Sequence, residues 1–418
     1  MNVDEQQKVL QNKSNGRSST VENKGSVAYK VLERMDYFDS NILYFLTVTS
    51  FNSPDDEVGR ENLKGQQTLI LYILLFYSKK LIISPQLKRA YANPILRPDS
   101  THSWESSAVF NSAAIYLENK VHLVYRAITS TGESVLGYAS SEDGINITER
   151  SKSPVYFVKD AKVHNHGSYK RLPFYYSSGN SWCGCEDPRL TVIEDRIYMT
   201  YTAFSNGSPP FMALTSIFVS DFLAQQWTWK KPLQISPPNQ MHKNWVLFPE
   251  KVNGQYAILH SLMPAIQIDY LDTLDGDKII IDSQYHPGYF NHGDWDNWIR
   301  GVGPPPIKTK DGWLILYHAM DSRDPNKYKI GAMLLDLVDP TQILCRAPHP
   351  LLQPDTIYEN QGYKEGVVYA CGAVVIDNDL IVYYGAADTV LCAAHINLNL
   401  LLAGLKMSAR RGSGKPQT

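Results

Sequence analysis

Lys310-Asp311-Gly312-Trp313-Leu314-Ile315-Leu316-Tyr317-His318-Ala319 is a polar turn followed by an apolar run that ends on Tyr-His and a small residue. Four other stretches follow the same grammar. Glu118-Asn119-Lys120 leads into Val121–Ala127, and Glu194-Asp195-Arg196 into Ile197–Ala203. Asn253-Gly254-Gln255 leads into Tyr256–Ser261, and Asp377-Asn378-Asp379 into Leu380–Ala386. Turn then strand is the pattern of a hairpin. The copies start about 76, 59, 57 and 67 residues apart, which is room for four short strands and their loops, one blade of a propeller. Leu136–Gly144 and Lys329–Asp336 read as the next strand of such a blade. The expected fold is therefore all-β, a five-bladed β-propeller. A β-sandwich with coincidental strands is the competing reading, and regular long spacing suits it less.

Radial blades turn equivalent positions toward one channel. Polar residues recurring near the ends of the repeated strands would meet there, and Arg126, His260, His318 and Tyr384 are the candidates. A single histidine on a strand is commonly a satisfied structural residue; several polar residues at equivalent positions fit a shared funnel better.

The 418 residues divide as an N-terminal extension over 1–84, a propeller domain over 85–405 and a flexible tail over 406–418. Residues 1–25 are polar and expected to be disordered. The composition, 43% hydrophobic and 20% charged, fits a globular protein. Its 26 Tyr, 13 Phe and 8 Trp suit a β-rich fold or a sugar-lined cleft. A net charge of −2 gives no reason to expect nucleic acid or an anionic membrane as partner. Five cysteines, an odd number, argue against a secreted disulfide framework. Cys183 and Cys185 have no second pair nearby, so no metal is expected. No basic stretch leads into an apolar core at the start, and the longest apolar run, Leu69–Tyr77, is too short to span a bilayer. The cytoplasm is the expected location, and the Leu69–Tyr77 patch is compatible with a homo-oligomer.

Just before the second copy stands Cys185-Glu186-Asp187-Pro188-Arg189-Leu190. Two carboxylates, a proline and a guanidinium are crowded together. Pro188 is expected to bias Asp187 toward extended backbone and hold its carboxyl at a defined angle. A held acid near an arginine suits proton transfer; a charged turn entering a strand is the plainer reading. Trp182, Trp295 and Trp298 read either as sugar-stacking rings or as blade packing. His164 and His166 read as surface residues, and Glu250 as half of a structural ion pair.

At these residues the sequence resembles glycoside hydrolase family 130, the inverting β-mannoside phosphorylases and their hydrolytic relatives. The resemblance spans roughly residues 91–400. It rests on Asn93-Pro94-Ile95-Leu96, Phe110-Asn111-Ser112-Ala113-Ala114 with Tyr125-Arg126-Ala127, Glu186-Asp187-Pro188-Arg189, Leu247-Phe248-Pro249-Glu250-Lys251, Gly303-Pro304-Pro305-Pro306-Ile307 with Tyr317-His318, and Tyr383-Tyr384-Gly385-Ala386-Ala387-Asp388. It implies a five-bladed propeller in which Asp187 is the general acid, acting through a sugar hydroxyl, while phosphate attacks the anomeric carbon. A phosphorylase needs only the acid and a cationic cradle, because phosphate is already an anionic nucleophile. Asp187 must then be protonated before turnover, so its surroundings are expected to raise its pKa.

The resemblance further implies Asn111, Ser112, Arg126 and His318 as phosphate ligands, with Lys243 and Arg300 as supplementary cations. Glu186, Arg189, His260, Tyr384 and Asp388 are the implied substrate contacts. Inorganic phosphate is the co-substrate, a mannoside oligosaccharide the other partner, and no further cofactor is implied. Two positions depart from the family pattern. Leu259-His260-Ser261 stands where the phosphorylases usually read Leu-His-Arg, and Ile299 stands where they tend to carry lysine. Serine does not replace a bidentate arginine. An inverting hydrolase with a second carboxylate as base is therefore the alternative, with Glu365, Asp388 and Asp321 as candidates and Glu365 foremost. A non-catalytic carbohydrate-binding propeller is the third reading.

Overall fold

The computed structural model describes residues 18–21, 29–38, 41–49, 85–158, 181–204, 209–276, 279–284 and 294–412, the first three stretches and 409–412 as backbone only. The apolar segment 69–83, His164 and His166 lie outside the described residues. The chain divides into two compact units, Met1–Ile82 and Ile83–Thr418. In the first, β1 (Ser18–Val21), β2 (Tyr29–Phe38) and β3 (Asn41–Thr49) form an antiparallel sheet in the order β1-β2-β3.

The described part of the second unit is mostly β, and its strands run as antiparallel meanders, the first two joined into one eight-stranded sheet by a short parallel pairing of Glu133 and Ser134 with Cys183 and Gly184. After β4 (Lys88–Arg89), the first comprises β5 (Ala108–Leu117), β6 (Lys120–Ile128), β7 (Glu133–Ser141) and β8 (Ile147–Arg150). The second comprises β9 (Cys183–Ile193), β10 (Arg196–Phe204), β11 (Phe211–Phe218) and β12 (Leu233–Gln234), with helix α1 (Val219–Leu223) after β11. The third comprises β13 (Val246–Leu247), β14 (Tyr256–Ser261) and β15 (Gln267–Leu271), and the fourth β16 (Trp298–Val302), β17 (Ile307–Thr309), β18 (Gly312–Asp321), β19 (Asp324–Leu335) and β20 (Ile343–Arg346). After helix α2 (Ile357–Asn360), the fifth comprises β21 (Val368–Ile376), β22 (Asp379–Ala386) and β23 (Val390–Asn397). Its outer edge is covered by β4, with Ala394 paired to Arg89. All five repeat copies are strands: they lie in β6, β10, β14, β18 and β22.

These runs read as continuously apolar because both faces are buried. On β18, Trp313, Ile315 and Tyr317 pack toward the third meander, while Leu314 and Leu316 pack toward the fifth. Alternate side chains of one strand thus fill two cores, as the two-residue period requires. Clusters of the same kind join the first meander to the second, the second to the third, and the fifth back to the first through Leu123, Tyr125, Ile381 and Tyr383. Truncating a fully buried member such as Leu314 should cost about 2–5 kcal/mol.

The edge strand β4 is held by a buried ion pair. Arg89 donates Nε and Nη2 to the two oxygens of Glu359, each at 2.8 Å, and Tyr384 donates its hydroxyl to Oε1 at 2.9 Å. Glu359 also accepts the Asp355 and Thr356 amides on Oε2, at 2.7 and 3.0 Å, at the start of α2. Helix α3 (Leu398–Gly412) follows β23, opened by the Asn397 side chain accepting from the Leu400 amide, and buries Leu401, Leu402 and Leu405. Residues 406–412, expected as tail, are the last turns of this helix, which its three buried leucines anchor.

Candidate active site

The first strands of four meanders each carry a β-bulge, and the bulges deliver the polar residues. In β5 the pairing jumps from Phe110↔Arg126 to Ala113↔Val124, so Asn111 and Ser112 face a single partner residue. In β9 it jumps from Glu186↔Thr202 to Arg189↔Thr200, leaving Asp187 and Pro188 as the extra pair. Arg300 in β16 and Cys371 in β21 are the extra residues of their strands. Bulges re-aim side chains, and a bulge is where a strand tolerates proline. Asn111 and Asp187 have φ of 45° and 52°, a left-handed conformation that Asn and Asp adopt most readily. The expectation of an extended Asp187 is corrected here: the bulge overrides the bias from Pro188.

Asp187 and Glu186 share one guanidinium. Arg126, fully buried, donates Nη1 to Asp187 Oδ1 at 3.1 Å and Nη2 to Glu186 Oε1 at 2.8 Å. Its Nε reaches Ser134 Oγ and its Nη2 also reaches Ser181 Oγ, both at 2.8 Å. Asn111 Nδ2 donates to Asp187 Oδ1 at 2.8 Å, while Asn111 Oδ1 is buried without a hydrogen-bond partner. Lys243 Nζ lies 3.1 Å from Glu186 Oε2. The Glu186 carboxylate is thus held between Arg126 and Lys243, and Asp187 between Arg126 and an amide.

Burial alone would raise the Asp187 pKa, but Arg126, then Arg189 and Lys243, and the hydrogen bond from Asn111 outweigh it and hold the carboxyl below its usual value. This reverses the expectation of a raised pKa. The physical reason is that three cations converge on the buried carboxyl, and nearby positive charge favours its ionised form.

Arg189 was expected to touch substrate; the structure places it in a different role. It is buried, and its donors go to Gly303 O at 2.9 Å, Asp187 O at 2.8 Å and Asn244 Oδ1 at 3.0 Å. It therefore ties the β9 bulge to the strands around it. Asn244 also accepts from the Tyr369 hydroxyl and donates to Arg300 O at 3.1 Å. The Tyr369 ring stacks on His318 with centroids 3.8 Å apart. His318 accepts the Ala370 amide on Nε2 at 2.9 Å, so its ring proton sits on Nδ1, which is buried and unpartnered. Burial, with Arg189 nearby, pushes its pKa down to about 3.

Next to this cluster is a small, partly open cavity of about 60 Å³, lined among others by Lys243, Asn244, His260, Ser261 and Arg300. His242, also on its wall, has a buried Nε2 without a partner. Burial pushes His242 and His260 down to about 4, so both are neutral at ordinary pH. Arg300 donates Nε to the Tyr328 hydroxyl at 2.9 Å and covers the Trp298 ring at 4.6 Å. The positions that depart from the family pattern, Ser261 and Ile299, lie on this wall, and so do two cations, Lys243 and Arg300.

The other expected residues scatter. Ser112 is buried and donates to Ala113 O at 2.7 Å. Tyr384 points into the core between the fourth and fifth meanders, its hydroxyl bound to Glu359; it belongs to the β4 clasp and not to the substrate contacts. Asp388 is buried and adds to the negative field on Arg126. Glu365 is exposed on the loop before β21, and Asp321 is paired with its neighbour Arg323 at 2.8 Å. Glu250 pairs with Lys308 at the surface. Trp182 donates to Thr131 O and Trp295 to Ala347 O, which leaves Trp298 as the tryptophan of the three beside the cavity residues. Asn244, Tyr369, His242 and Ser181 had no motif to announce them.

A family model described as beta-1,4-mannooligosaccharide phosphorylase matches residues 86–406. The chain is 36% identical over 329 residues to the 1,2-beta-oligomannan phosphorylase of Thermoanaerobacter sp. (strain X514), covering 75% of this chain and 98% of that protein. It is 36% identical over 324 residues to the beta-1,2-mannobiose phosphorylase of the same strain, covering 74% and 97%. Among solved structures it resembles one reported under the description that the GH130 family of mannoside phosphorylases contains glycoside hydrolases targeting beta-1,2 mannosidic linkages in Candida mannan. That match has a TM-score of 0.59 and 25% identity, over 75% of this chain and 94% of the other.

Proposed function

The chain belongs to glycoside hydrolase family 130, and we propose that it is an inverting phosphorylase that cleaves β-1,2-mannosides with inorganic phosphate to give mannose 1-phosphate. The observation that carries this reading is the buried Glu186–Arg126–Asp187 cluster beside a cavity walled by Lys243 and Arg300. Asp187 is the general acid. Lys243 and Arg300 hold the phosphate, and His318 offers Nδ1–H as a neutral donor. The β-1,2 linkage is supported by the two relatives at 36% identity, both named for it. The five meanders are read as the five blades of a propeller. Support comes from the apolar clusters between successive meanders, the fifth packing against the first, and from the pairing of β4 with β23.

A hydrolase is the second reading, favoured by the solved relative described as including hydrolases and by Ser261 and Ile299 on the cavity wall. It requires a base aimed across the site. Glu365 is exposed, and Asp321 is occupied by Arg323. Two cations on the cavity wall suit an anionic nucleophile better than water. Incubation with β-1,2-mannobiose with and without phosphate separates the readings. A phosphorylase forms mannose 1-phosphate at a rate set by phosphate; free mannose at the same rate without phosphate would establish the hydrolase.

A further inference from the structure

The cations around Asp187 favour its ionised form. Asp187 has to give up a proton, yet three cations act on it: Arg126 from β6, Arg189 from β9 and Lys243 ahead of β13. The remaining groups near it are Asn111 from β5, Glu186 from β9, His318 from β18, Tyr369 and Cys371 from β21, and Asp388 after β22. The tyrosine and the cysteine are pushed up by burial and stay neutral, and the histidine is pushed down by burial and stays neutral too. Three cations therefore face three carboxylates, those of Glu186, Asp187 and Asp388.

Of the cations, Arg126 and Arg189 are buried and bonded on several sides, while the Lys243 side chain is 22% exposed, lines the cavity and bonds Glu186 at its edge. We infer that phosphate entering the cavity draws Lys243 off Glu186, and that the two carboxylates left sharing Arg126 then take up one proton, on Asp187. This rests on the phosphorylase reading and adds to it the step that charges the acid.

The driving force is like-charge repulsion. Two carboxylates bonded to one guanidinium repel each other, Arg189 remains as the other cation acting on Asp187, and the added dianion tips the balance toward protonation. The proton goes to Asp187 because of its partners. Glu186 keeps Arg126 Nη2 and Ser181 Oγ, two donors that favour an anion. Asp187 keeps Asn111, whose amide donates through Nδ2 now and has Oδ1 unpartnered. Turning that amide over presents an acceptor to the new carboxyl O–H. The step balances simply: phosphate binds as the dianion, one O–H bond forms on Asp187 with a proton taken from solvent, and no other group changes charge. By linkage, phosphate then binds more tightly as pH falls through the range where Asp187 takes the proton.

The test is calorimetric titration of the full chain with inorganic phosphate at about pH 8, above the second phosphate ionisation, in buffers of different ionisation enthalpy. The wild type should take up about one proton per phosphate bound, and Asp187→Asn should bind phosphate with uptake near zero. Glu186→Gln keeps Asp187 but removes the like charge, so it too should lose most of the uptake. Equal uptake in wild type and Asp187→Asn would place the proton on the phosphate and overturn the inference. Binding by the wild type without uptake would also overturn it, while leaving the phosphorylase reading intact. Failure of phosphate to bind at all would overturn both.

Discussion

Gly385 on β22 gives the sharpest steric test of the site, because its role is to leave room. A Cβ at this position would sit 2.1 Å from Asn111 Oδ1 and 3.0 Å from both Asn111 N and Phe110 Cβ. Gly385→Ala must therefore push the Asn111 amide back by more than an ångström, which breaks its 2.8 Å hydrogen bond to Asp187. Asn111 fixes the position of the Asp187 carboxyl, and loss of such a contact, about 1.5–3 kcal/mol for a charged group, should misplace the proton donor and lower kcat for phosphorolysis about 10- to 100-fold. Overpacking should cost about 1–3 kcal/mol of stability, small enough for the variant to be assayed folded. A double-mutant cycle isolates the cause. In an Asn111→Ala background the added methyl has no amide to displace, so Gly385→Ala should then change kcat by less than about 3-fold. Full activity of the single variant, or an undiminished effect in the Asn111→Ala background, would refute the claim that Gly385 acts through Asn111 on Asp187.

Two further outcomes concern the frame around the site. Arg89→Ala leaves the buried Glu359 carboxylate without its bidentate partner and should destabilise the second unit by about 2–4 kcal/mol. Thermal unfolding should show a clear drop, and Arg89→Lys should recover only part of it; an unchanged midpoint would refute the clasp. The three neutral histidines set a pH dependence. Burial holds His242 and His260 down to about 4 and His318 to about 3, against 6.5 for the free side chain. The unfolded chain binds the protons that the folded chain refuses, so stability is lost as pH falls below about 6.5 and goes on falling toward those folded values. Urea midpoints that stay flat from about pH 6.5 to 5 would contradict buried neutral histidines.

Much of the frame was legible because it depends on short, strongly patterned segments. All five apolar runs are strands, and each polar triplet before them is a turn. Asn253 and Asn378 take positive φ in those turns, as the residue types suggest. The site was legible in part. The Glu186-Asp187-Pro188-Arg189 motif and Arg126, picked out by its place near the end of a repeat strand, meet in one buried cluster. Sequence pattern could not say that the first strands of four meanders bulge, because a bulge is set by pairing with a partner strand. That is why Asp187 was expected to be extended, and why Tyr384 was expected in the site when its side chain faces the core. The sign of the Asp187 pKa shift was illegible for a related reason: it depends on which of several nearby cations actually converge, and three of them do. Asn244 and Tyr369 stand in no motif, and only the fold brings them onto Arg189.

In the proposed reaction phosphate attacks the anomeric carbon while Asp187 protonates the leaving oxygen. The measurement closest to that claim is the anomeric configuration of the first product, read by phosphorus NMR during reaction of β-1,2-mannobiose with phosphate. Inversion by direct attack predicts α-mannose 1-phosphate, formed by the wild type and not by Asp187→Asn. The β anomer, free mannose as first product, or undiminished turnover by Asp187→Asn would contradict it.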